Sequence, residues 1–380
     1  MSIFTPNFKL GLLGGGQLGR MLLQSAIDLD IHVKVLDLDP NAPCANIAPE
    51  FVVGSFQDFD TVYRFGQDCE VITIEIENVN LEALEALEAQ GKKVFPQPAV
   101  IRIIQDKRIQ KQFYRDNNLP TADFILTDSE DDIRANLDYL PAFNKVGKGG
   151  YDGKGVQKLR SAADLSLAFK APSLLEKAID FDKEIAIIAA RNEQGEIQLF
   201  PTVEMVFHPV HNLVEYLFAP AQISESINQQ AQQIAISVTE KLGIVGLLAV
   251  EMFVTKDQQV LINEVAPRTH NSGHHTLRAN HTSQFEQHLR AVLGLPLGNT
   301  AAHSLAAMVN LLGEDGFSGE ARYEGMENLL AMKGVYPFLY GKKITKPFRK
   351  MGHISLIDND LEALKTKVKQ VQETVKVISW

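Results

Sequence analysis

Residues 145–155 read Lys-Val-Gly-Lys-Gly-Gly-Tyr-Asp-Gly-Lys-Gly, with five glycines and three lysines in eleven positions. Glycine permits positive φ angles that turn successive N–H groups toward one point, and lysine adds cationic donors, so this segment suits phosphate. Its order differs from the G-x-x-x-x-G-K-[ST] pattern of a P-loop. Because Gly/Lys loops are also common as solvated turns, the segment alone leaves a phosphate site and a surface turn about equally open.

A second informative stretch lies a hundred residues downstream. The apolar runs Gly246–Val254 and Val260–Val265 are separated by a short polar segment, which is typical of a β-hairpin. A turn centred on Asp257-Gln258 would place Glu251 and Glu264 opposite each other on one face. Two like charges in apolar surroundings are costly, and a divalent cation would remove that cost. Magnesium takes one or two carboxylates plus substrate phosphates, so we predict that it is bound by Glu251, Glu264 and Asn263, the alternative being two half-exposed strand-end glutamates.

These stretches together resemble the ATP-grasp ligases. Residues 263–274, Asn-Glu-Val-Ala-Pro-Arg-Thr-His-Asn-Ser-Gly-His, are similar to the NE-x-APR-x-HNSGH signature of the purine-pathway members. Residues 149–155 are similar to their GGYDG-[KR]-G loop. With Gly14–Arg20 near the start, the combination resembles the 5-(carboxyamino)imidazole ribonucleotide synthetase family, from about residue 10 to about residue 356.

The resemblance implies an α/β fold, α+β within the grasp. We expect a Rossmann-like pre-ATP-grasp domain over residues 1–104 and an ATP-grasp domain over residues 105–300. Residues 118–178 would form its lid, and residues 301–380 a small C-terminal subdomain that closes on the substrate. The chain of 380 residues is long enough for two or three packed units of this kind.

Composition limits the partners and the compartment. The net charge of −10 argues against general binding to nucleic acid or to anionic membranes, since both need a broad basic face. Cys44 and Cys69 form neither a metal-binding spacing nor a disulfide framework, which fits a reducing cytosol. The apolar stretch Leu10–Leu23 is interrupted by glycines, a glutamine and an arginine, so we predict neither a signal peptide nor a membrane span. We therefore expect a cytoplasmic protein.

The N-terminus has the pattern of a β-α-β unit. Strands are predicted at Lys9–Leu13 and His32–Leu36 around a helix at Gln17–Leu29, with G-x-G-x-x-G between the first strand and the helix. Asp37 would bind the ribose in a dehydrogenase, so an NAD-binding oxidoreductase is an alternative. A helix N-terminus also holds a phosphate monoester, and the resemblance implies that the ribonucleotide phosphate is bound by Gly16, Gln17 and Leu18.

Further strands are predicted at Glu50–Val53 and Val71–Ile76, followed by a helix at Leu81–Ala89. The end of the second of these strands resembles the edge that faces the aminoimidazole nucleotide, so Glu75 and Glu77 are substrate candidates. Exposure at a strand end is equally open for both.

The resemblance also implies which residues bind ATP. Residues 105–111 open a helix with a D-[KR]-x-x-x-K segment, in which we choose Lys107 over Lys111; a solvated helix face is the alternative for Lys111. The strand at residues 142–145 aims Lys145 at the phosphates, the backbone of residues 176–179 reads the adenine edge, and Glu184 binds the ribose. The predicted ATP contacts are Lys107, Lys145, Gly150, Tyr151, Asp152, Gly153, Lys154, Gly155, Glu176, Lys177, Ala178, Ile179, Glu184, Glu204, Asn263 and Glu264.

The predicted catalytic residues are Arg268, Tyr151, Asp152 and His274. Arg268 would hold bicarbonate or carboxyphosphate, His274 would assist, and the loop tip would move protons or exclude water. Beyond the N-terminal candidates, the predicted substrate contacts are Asn271, Ser272, Lys342, Arg349 and Lys350. The last three belong to a basic run whose alternative is a solvated patch.

The implied reaction is the ATP-dependent carboxylation of 5-aminoimidazole ribonucleotide by bicarbonate through carboxyphosphate. The implied cofactors are ATP and two Mg²⁺ ions, for which Mn²⁺ could substitute, and a homodimer is expected. The alternatives are another ATP-grasp ligase, of the formate-dependent glycinamide ribonucleotide transformylase or biotin carboxylase type, and a nucleotide-binding module without turnover.

Overall fold

The computed structural model describes residues 3–150, 155–208 and 213–380. The predicted loop-tip residues Tyr151, Asp152, Gly153 and Lys154 lie outside these ranges. Among the described residues, no helix has the length and apolar character needed to cross a membrane.

The N-terminal region is a parallel sheet in the order β3-β2-β1-β4-β5. This sheet confirms the predicted β-α-β unit, and its buried central strands explain the continuous apolar runs. Asp58 and Asn80 cap two of its helices by accepting backbone N–H bonds. The elements are β1 (Leu10–Leu13), α1 (Gln17–Asp28), β2 (Val33–Asp37), β3 (Glu50–Val53), α2 (Phe59–Gly66), β4 (Val71–Ile74), α3 (Leu81–Ala89), β5 (Lys93–Val94) and α4 (Pro98–Gln105).

The next region is an antiparallel sheet in the order β6-β9-β7-β8. It is preceded by a helix whose N-cap, Asp106, accepts the N–H of Arg108 and so starts the predicted helix. The elements are α5 (Lys107–Asp116), β6 (Phe124–Thr127), α6 (Glu130–Arg134), β7 (Ala142–Val146), β8 (Val156–Leu159) and β9 (Ser173–Lys177).

The remaining strands mostly form one large sheet in the order β15-β14-β10-β12-β13-β16-β20-β18, with β11 attached to β10. Its elements and those around it are β10 (Phe181–Arg191), β11 (Ile197–Leu199), β12 (Val203–Phe207), β13 (Val214–Ala219), α7 (Glu225–Leu242), β14 (Gly246–Thr255), β15 (Val260–Ala266), α8 (Thr276–Ala279), α9 (Gln284–Val292), β16 (Leu305–Leu312), β17 (Gly319–Glu324), α10 (Met326–Leu330), β18 (Val335–Leu339), β19 (Ile344–Thr345), β20 (Lys350–Asp358), α11 (Leu361–Thr374) and β21 (Lys376–Ser379).

The C-terminal region adds to this large sheet rather than standing apart from it. Strand β16 pairs with β13, and β20 pairs with both β16 and β18. A smaller sheet, β19-β17-β21, contains the remaining C-terminal strands. The predicted C-terminal subdomain therefore shares its main sheet with the grasp, and the exact boundary at residue 300 stays a prediction.

The N-terminal sheet and the large sheet are joined by a shared core. Leu18 and Leu22 of α1 belong to the same buried cluster as Phe285 and Leu289 of α9. The removal of these side chains from water stabilises the contact by about 25 cal/mol per Å² of apolar surface. The shared core packs the region of the parallel strands against the region that contains the β14–β15 hairpin, where the candidate site lies.

Candidate active site

Two glutamates face each other on the antiparallel strands β14 and β15. Glu251 pairs with Glu264, whereas the next pair along the hairpin is Met252 with Ile262. Asn263 is therefore an extra residue on β15 and forms a β-bulge. Without the bulge, Glu251 would pair with Asn263, and Glu264 would face the other side of the sheet. The predicted pairing of the two glutamates is confirmed, but a bulge produces it rather than a turn centred on Asp257-Gln258.

Three carboxylates on this face repel one another. Glu184 lies on β10 two residues from Ala186, the cross-strand partner of Glu251, and so shares its face. Burial, then the charges of Glu264 and Glu184, raises the pKa of Glu251 to about 8. Burial and the charge of Glu264 raise the pKa of Glu184 to about 7. The Lys107 ammonium, 2.6 Å from the Glu264 carboxylate, lowers the pKa of Glu264 to about 2.

The glycine-rich loop is anchored to the start of α5. The N–H of Lys107 donates to the carbonyl of Gly147 at 2.8 Å, and the N–H of Val146 donates to that of Gly155 at 2.9 Å. Gly155 has a φ of +82°, and a Cβ there would lie 3.0 Å from the Cα of Gly150. Glycine is therefore required where the described end of the loop reaches Gly155, and the bond to Gly147 holds the loop next to Lys107.

A buried carboxylate, Glu176, binds two lysines. Its Oε1 is 2.7 Å from the Nζ of Lys145, and its Oε2 forms an ion pair with Lys111. Lys145 also lies 3.4 Å from the Oδ1 of Asn263, which places it at the hairpin as predicted. Lys111 is 2% exposed, so the alternative of a solvated helix face is wrong for this residue.

The predicted adenine-reading segment has part of its backbone already paired. The N–H of Lys177 donates to the carbonyl of Asp123, and that of Ala178 donates to the carbonyl of Pro141. These two N–H groups are therefore already paired within the protein, and the contacts of residues 176–179 with adenine stay predictions.

Glu204 is not part of the carboxylate face. It lies opposite Ile185 in the β12–β10 ladder and therefore points to the face opposite Glu184. Its carboxylate is 2.8 Å from the Nζ of Lys183. The structure contradicts the predicted ATP contact of Glu204, because strand register places its side chain on the other side of the sheet.

Arg268 connects the hairpin to the N-terminal region. Its guanidinium lies 2.8 Å from the carboxylate of Glu77, which follows β4. The side chains of Arg268 and Glu77 are 19% and 28% exposed, so the pair lines an accessible boundary rather than a closed core. The structure thus brings together a predicted bicarbonate-binding residue and a predicted nucleotide-binding residue.

Glu75 binds the glycine turn that precedes α1. Its carboxylate accepts the N–H of Gly16 at 2.6 Å and that of Gly19 at 2.8 Å. A carboxylate at a helix N-terminus makes the charge interaction that a phosphate would make. The structure thus shows that Gly16 and Glu75 bind each other, and the substrate contacts of Gly16, Gln17, Leu18 and Glu75 stay predictions.

His270, and not His274, lies beside the paired glutamates. The Nε2 of His270 is 3.5 Å from the carboxylate of Glu251, and its Nδ1 is 2.9 Å from the hydroxyl of Ser272. His274 is 1% exposed and stacks on His353 with ring centroids 4.6 Å apart. Burial lowers the pKa of His274 well below its usual range. The structure therefore assigns His274 to packing and corrects its predicted catalytic role.

The segment after Arg268 is held by side-chain amides. Asn271 and Asn310 exchange hydrogen bonds of 2.9 and 3.1 Å. Ser272 is 1% exposed, and its hydroxyl is engaged by His270. Ser272 is thus connected to the glutamate pair through His270, whereas Asn271 binds Asn310.

The predicted basic residues of the C-terminal region lie at or shortly before the start of β20. The positive charge of Lys350 opposes the rise in the pKa of Glu251 and adds to burial in lowering the pKa of His270. The Nζ of Lys342 donates to the carbonyl of Lys350 at 2.7 Å, and Arg349 donates to the carbonyl of Ile344 at 2.6 Å. Lys350 therefore reaches the carboxylate face, and Lys342 packs against its backbone.

Both carboxylate oxygens of Asp37 bind backbone N–H groups of the chain. One oxygen accepts the N–H of Gly15 at 2.6 Å, and the other accepts that of Asp39 at 2.8 Å. The first bond joins the end of β2 to the glycine turn before α1, and the second closes the loop after β2. This arrangement argues against the alternative of an NAD-binding oxidoreductase.

Comparison with known proteins assigns the chain along most of its length. The ribonucleotide synthetase preATP-grasp domain matches residues 8–105, the ATP-grasp domain residues 112–285, and the phosphoribosylaminoimidazole carboxylase C-terminal domain residues 306–367. The N5-carboxyaminoimidazole ribonucleotide synthase of Synechococcus elongatus is 40% identical over 360 residues, which are 93% of this chain and 90% of that protein. The chain belongs to the N5-carboxyaminoimidazole ribonucleotide synthase family.

Solved structures of this synthase family have the same fold. The synthetase of Thermotoga maritima is 40% identical with a TM-score of 0.89, covering 98% of this chain and 100% of that one. The Aspergillus clavatus synthase, in complex with ADP and 5-aminoimidazole ribonucleotide, is 32% identical with a TM-score of 0.88, covering 97% and 98% of the two chains. The chloroplastic phosphoribosylaminoimidazole carboxylase of Vigna aconitifolia is longer, and the chain spans 66% of it at 36% identity. The predicted ATP-grasp fold is therefore confirmed.

Three residues of this synthase-family site were missed or set aside in the sequence. His270 stands inside the quoted motif, so its signal was present, but His274 was chosen instead. For Lys111, the D-[KR]-x-x-x-K resemblance favours Lys107, the residue directly after the aspartate, and leaves a solvated helix face as the alternative. Gln284 has no local signal: its buried carboxamide accepts the N–H of His270 at 2.8 Å and donates to the carbonyl of His270 at 2.7 Å.

Proposed function

We propose that the chain catalyses the ATP-dependent carboxylation of 5-aminoimidazole ribonucleotide by bicarbonate, giving 5-(carboxyamino)imidazole ribonucleotide, ADP and phosphate. The observation that carries the proposal is the Glu251–Glu264 pair beside Arg268 in a chain of the N5-carboxyaminoimidazole ribonucleotide synthase family. The match of residues 306–367 to the phosphoribosylaminoimidazole carboxylase C-terminal domain favours this acceptor over glycinamide ribonucleotide or biotin.

The chemistry needs an activated form of bicarbonate, because the carbon of bicarbonate has no good leaving group. Transfer of the γ-phosphoryl group of ATP to a bicarbonate oxygen forms carboxyphosphate and ADP. The exocyclic amine of the aminoimidazole nucleotide then attacks the carbon of carboxyphosphate, or of the carbon dioxide released from it. The new C–N bond forms, phosphate leaves, and the amine gives up one proton.

Positive charge at the β14–β15 hairpin supports the phosphoryl step. Lys107 and Lys145 lie at Glu264 and Asn263, where they would neutralise charge that develops on the transferred group. Arg268 has the planar, two-pronged donor geometry that suits bicarbonate and carboxyphosphate. Its pairing with Glu77 would place that anion at the boundary with the N-terminal region.

We include Mg²⁺ in the proposal, as one or two ions that Mn²⁺ could replace. Glu251, Glu264 and Asn263 supply the oxygen donors, and two carboxylates with substrate phosphates are a usual magnesium set. The raised pKa of Glu251 fits this assignment, because a nearby cation would favour its ionised form. In the described ranges there is no cluster of three His, Cys, Asp or Glu side chains that would form a complete protein-only site. When bound, the ion would screen the triphosphate.

The ribonucleotide would lie between the N-terminal region and β20. Glu77, Asn271 and Ser272 would contact it from one side, and the basic residues Lys342, Arg349 and Lys350 would bind its phosphate from the other. A homodimer and a cytosolic location are also part of the proposal. The two cysteines, both buried and unpaired, support a reducing compartment.

The proposal is tested by ADP release from MgATP with and without 5-aminoimidazole ribonucleotide and with and without bicarbonate. Release that requires the nucleotide and consumes bicarbonate into an acid-labile carbamate would support it. Turnover driven instead by formate and glycinamide ribonucleotide would keep the ATP-grasp fold and reject the substrate. A lack of turnover with every donor would favour a binding module.

A further inference from the structure

Lys111 is a buried cation for which the proposed reaction has no direct use. It lies on α5 one turn after Lys107 and is 2% exposed. Its Nζ forms an ion pair with Glu176 and a hydrogen bond with the hydroxyl of Thr121. That hydroxyl in turn donates to the carbonyl of Ile262 at 2.8 Å, immediately before Asn263. Lys111 therefore connects α5, the lid strand β9 and the carboxylate-bearing strand β15.

The charges around Lys111 do not cancel. Glu176, which is 3% exposed, is shared between Lys111 and Lys145, and the Lys145 ammonium is 2.7 Å from its second oxygen. Burial lowers the pKa of Lys111 to about 8, so at neutral pH its amine is protonated, and two ammonium groups and one carboxylate leave one net positive charge. Lys145 is the more accessible of the two lysines, with 12% of its side chain exposed against 3% for Lys111. The net positive charge is therefore most accessible at Lys145, next to Asn263.

We propose that Lys111 is a positioning residue that neutralises Glu176 and thereby keeps the positive charge of Lys145 available to the phosphates of ATP. Without the ammonium of Lys111, Glu176 would pair with Lys145 alone and cancel its charge. The attraction of a phosphate to Lys145 would then fall, although Lys145 itself is unchanged. This inference rests on the ATP site of the proposed function.

The test measures the affinity of the full chain for MgADP by isothermal titration calorimetry. Lys111→Met removes the charge at similar side-chain volume, and we expect about tenfold weaker MgADP binding. The double variant Lys111→Met/Glu176→Gln removes the carboxylate as well, so Lys145 regains its uncompensated charge. We expect this double variant to bind within about threefold of wild type. Lys369→Met, an exposed lysine on α11, is the matched control and should bind as wild type does.

Steady-state kinetics separate a positioning role from a general loss of structure. Lys111→Met should raise the KM for ATP about tenfold while leaving kcat at saturating ATP within about threefold. Thermal unfolding of each variant shows whether it is folded. If Lys111→Met does not fold, the double variant decides: affinity near wild type supports the proposal, and tenfold weaker binding overturns it.

Two further results would also overturn the proposal: unchanged MgADP affinity in a folded Lys111→Met, or a double variant as weak as the single one. MgADP binding requires neither bicarbonate nor the aminoimidazole nucleotide. A wild-type chain that binds MgADP but is not stimulated by the nucleotide would therefore reject the carboxylation and leave this test valid.

Discussion

At the scale of single residues, the candidate site consists of cations that each have a carboxylate partner. Lys107 pairs with Glu264, Arg268 pairs with Glu77, and Lys145 shares Glu176 with Lys111. Removal of one member of a partly buried pair costs more than the pair contributes, because the remaining charge loses its partner. A single substitution at one of these pairs should therefore leave the other charge without its partner.

We predict that Glu264→Gln lowers ATP turnover by about a hundredfold or more, because it removes both a metal oxygen and the partner of Lys107. The assay is ADP release with saturating nucleotide and bicarbonate. Glu373→Gln, an exposed glutamate on α11, is the control and should keep wild-type activity. Activity of Glu264→Gln close to wild type would reject the paired-carboxylate site.

Arg349→Ala should raise the KM for 5-aminoimidazole ribonucleotide about tenfold, because a guanidinium–phosphate contact is lost. The KM for ATP should stay unchanged, since no described contact joins Arg349 to the carboxylate face. Arg134→Ala, on exposed helix α6, is the matched control. An unchanged nucleotide KM would assign Arg349 to surface charge.

At the scale of elements, the glycine-rich loop and the β15 bulge determine where the ligands of the site point. The bulge at Asn263 changes the strand register by one residue, which brings Glu251 and Glu264 to one face. The loop returns on itself through the bond between Val146 and Gly155. Both features depend on local backbone geometry, so they can be tested by substitutions that change only that geometry.

Gly155→Ala should weaken ATP binding and destabilise the loop by about 1–2 kcal/mol or more, because φ is positive there and the new methyl has no space. Its Cβ would lie 2.6 Å from the Cγ1 of Val146. Gly149→Ala is the matched control: its φ is also +82°, but no atom lies within 4 Å of the new methyl. The KM for ATP should rise more in Gly155→Ala. An equal effect of both substitutions would show that the close approach is unimportant.

A charge cluster at the amino ends of the N-terminal strands should govern acid stability. Burial opposes ionisation of Asp68, but hydrogen bonds from Lys34 and Lys9 overcome it and lower the pKa of Asp68 to about 2, from an ordinary value of 3.8. Because the folded pKa is the lower one, this stabilisation is present above about pH 4 and is lost as the pH falls through about 2.

Asp68→Asn should accordingly reduce the loss of stability between pH 4 and pH 2 by about 1 kcal/mol. This value is smaller than the difference between the two pKa values alone would give, because 47% of the Asp68 side chain is exposed and solvent screens its charge. Urea unfolding as a function of pH measures it, with the exposed Asp131→Asn as the control. An equal loss of the free energy of unfolding between pH 4 and pH 2 in wild type and Asp68→Asn would contradict the prediction.

At the scale of the whole molecule, the N-terminal region and the grasp act as one packed unit. The cluster around α1 and α9 is continuous, and Thr73 of β4 meets His288 of α9 at 2.8 Å. Thr73 is fully buried and His288 is 1% exposed. This contact helps to hold the N-terminal region, which contains Glu77, against the region that contains the β14–β15 hairpin.

Thr73→Val should lower the free energy of unfolding by about 1–3 kcal/mol, because it leaves a buried imidazole nitrogen without its partner at nearly unchanged volume. Chemical denaturation measures the difference. Thr366→Val, on the exposed side of α11, should change stability by less than about 0.5 kcal/mol. Equal stabilities of wild type and Thr73→Val would show that the hydrogen bond does not stabilise the contact between the two regions.

The sequence by itself determined the family and the order of many of the elements. Helix caps, glycine turns and alternation of apolar residues act over a few neighbouring positions, so Leu81–Ala89 and the β14–β15 hairpin could be predicted. The signature at residues 263–274 also indicated the family, and with it the proposed roles of Glu264 and Arg268.

Only the tertiary structure decided which side chains meet across long stretches of chain. Glu75 meets Gly16 across 59 residues of chain, and Lys111 binds Glu176 rather than solvent. Glu204 faces away from the site because face depends on strand register. The physical reason is that local preferences determine an element but not its partners: a one-residue bulge or a change of packing reverses the direction of a side chain without changing the local pattern.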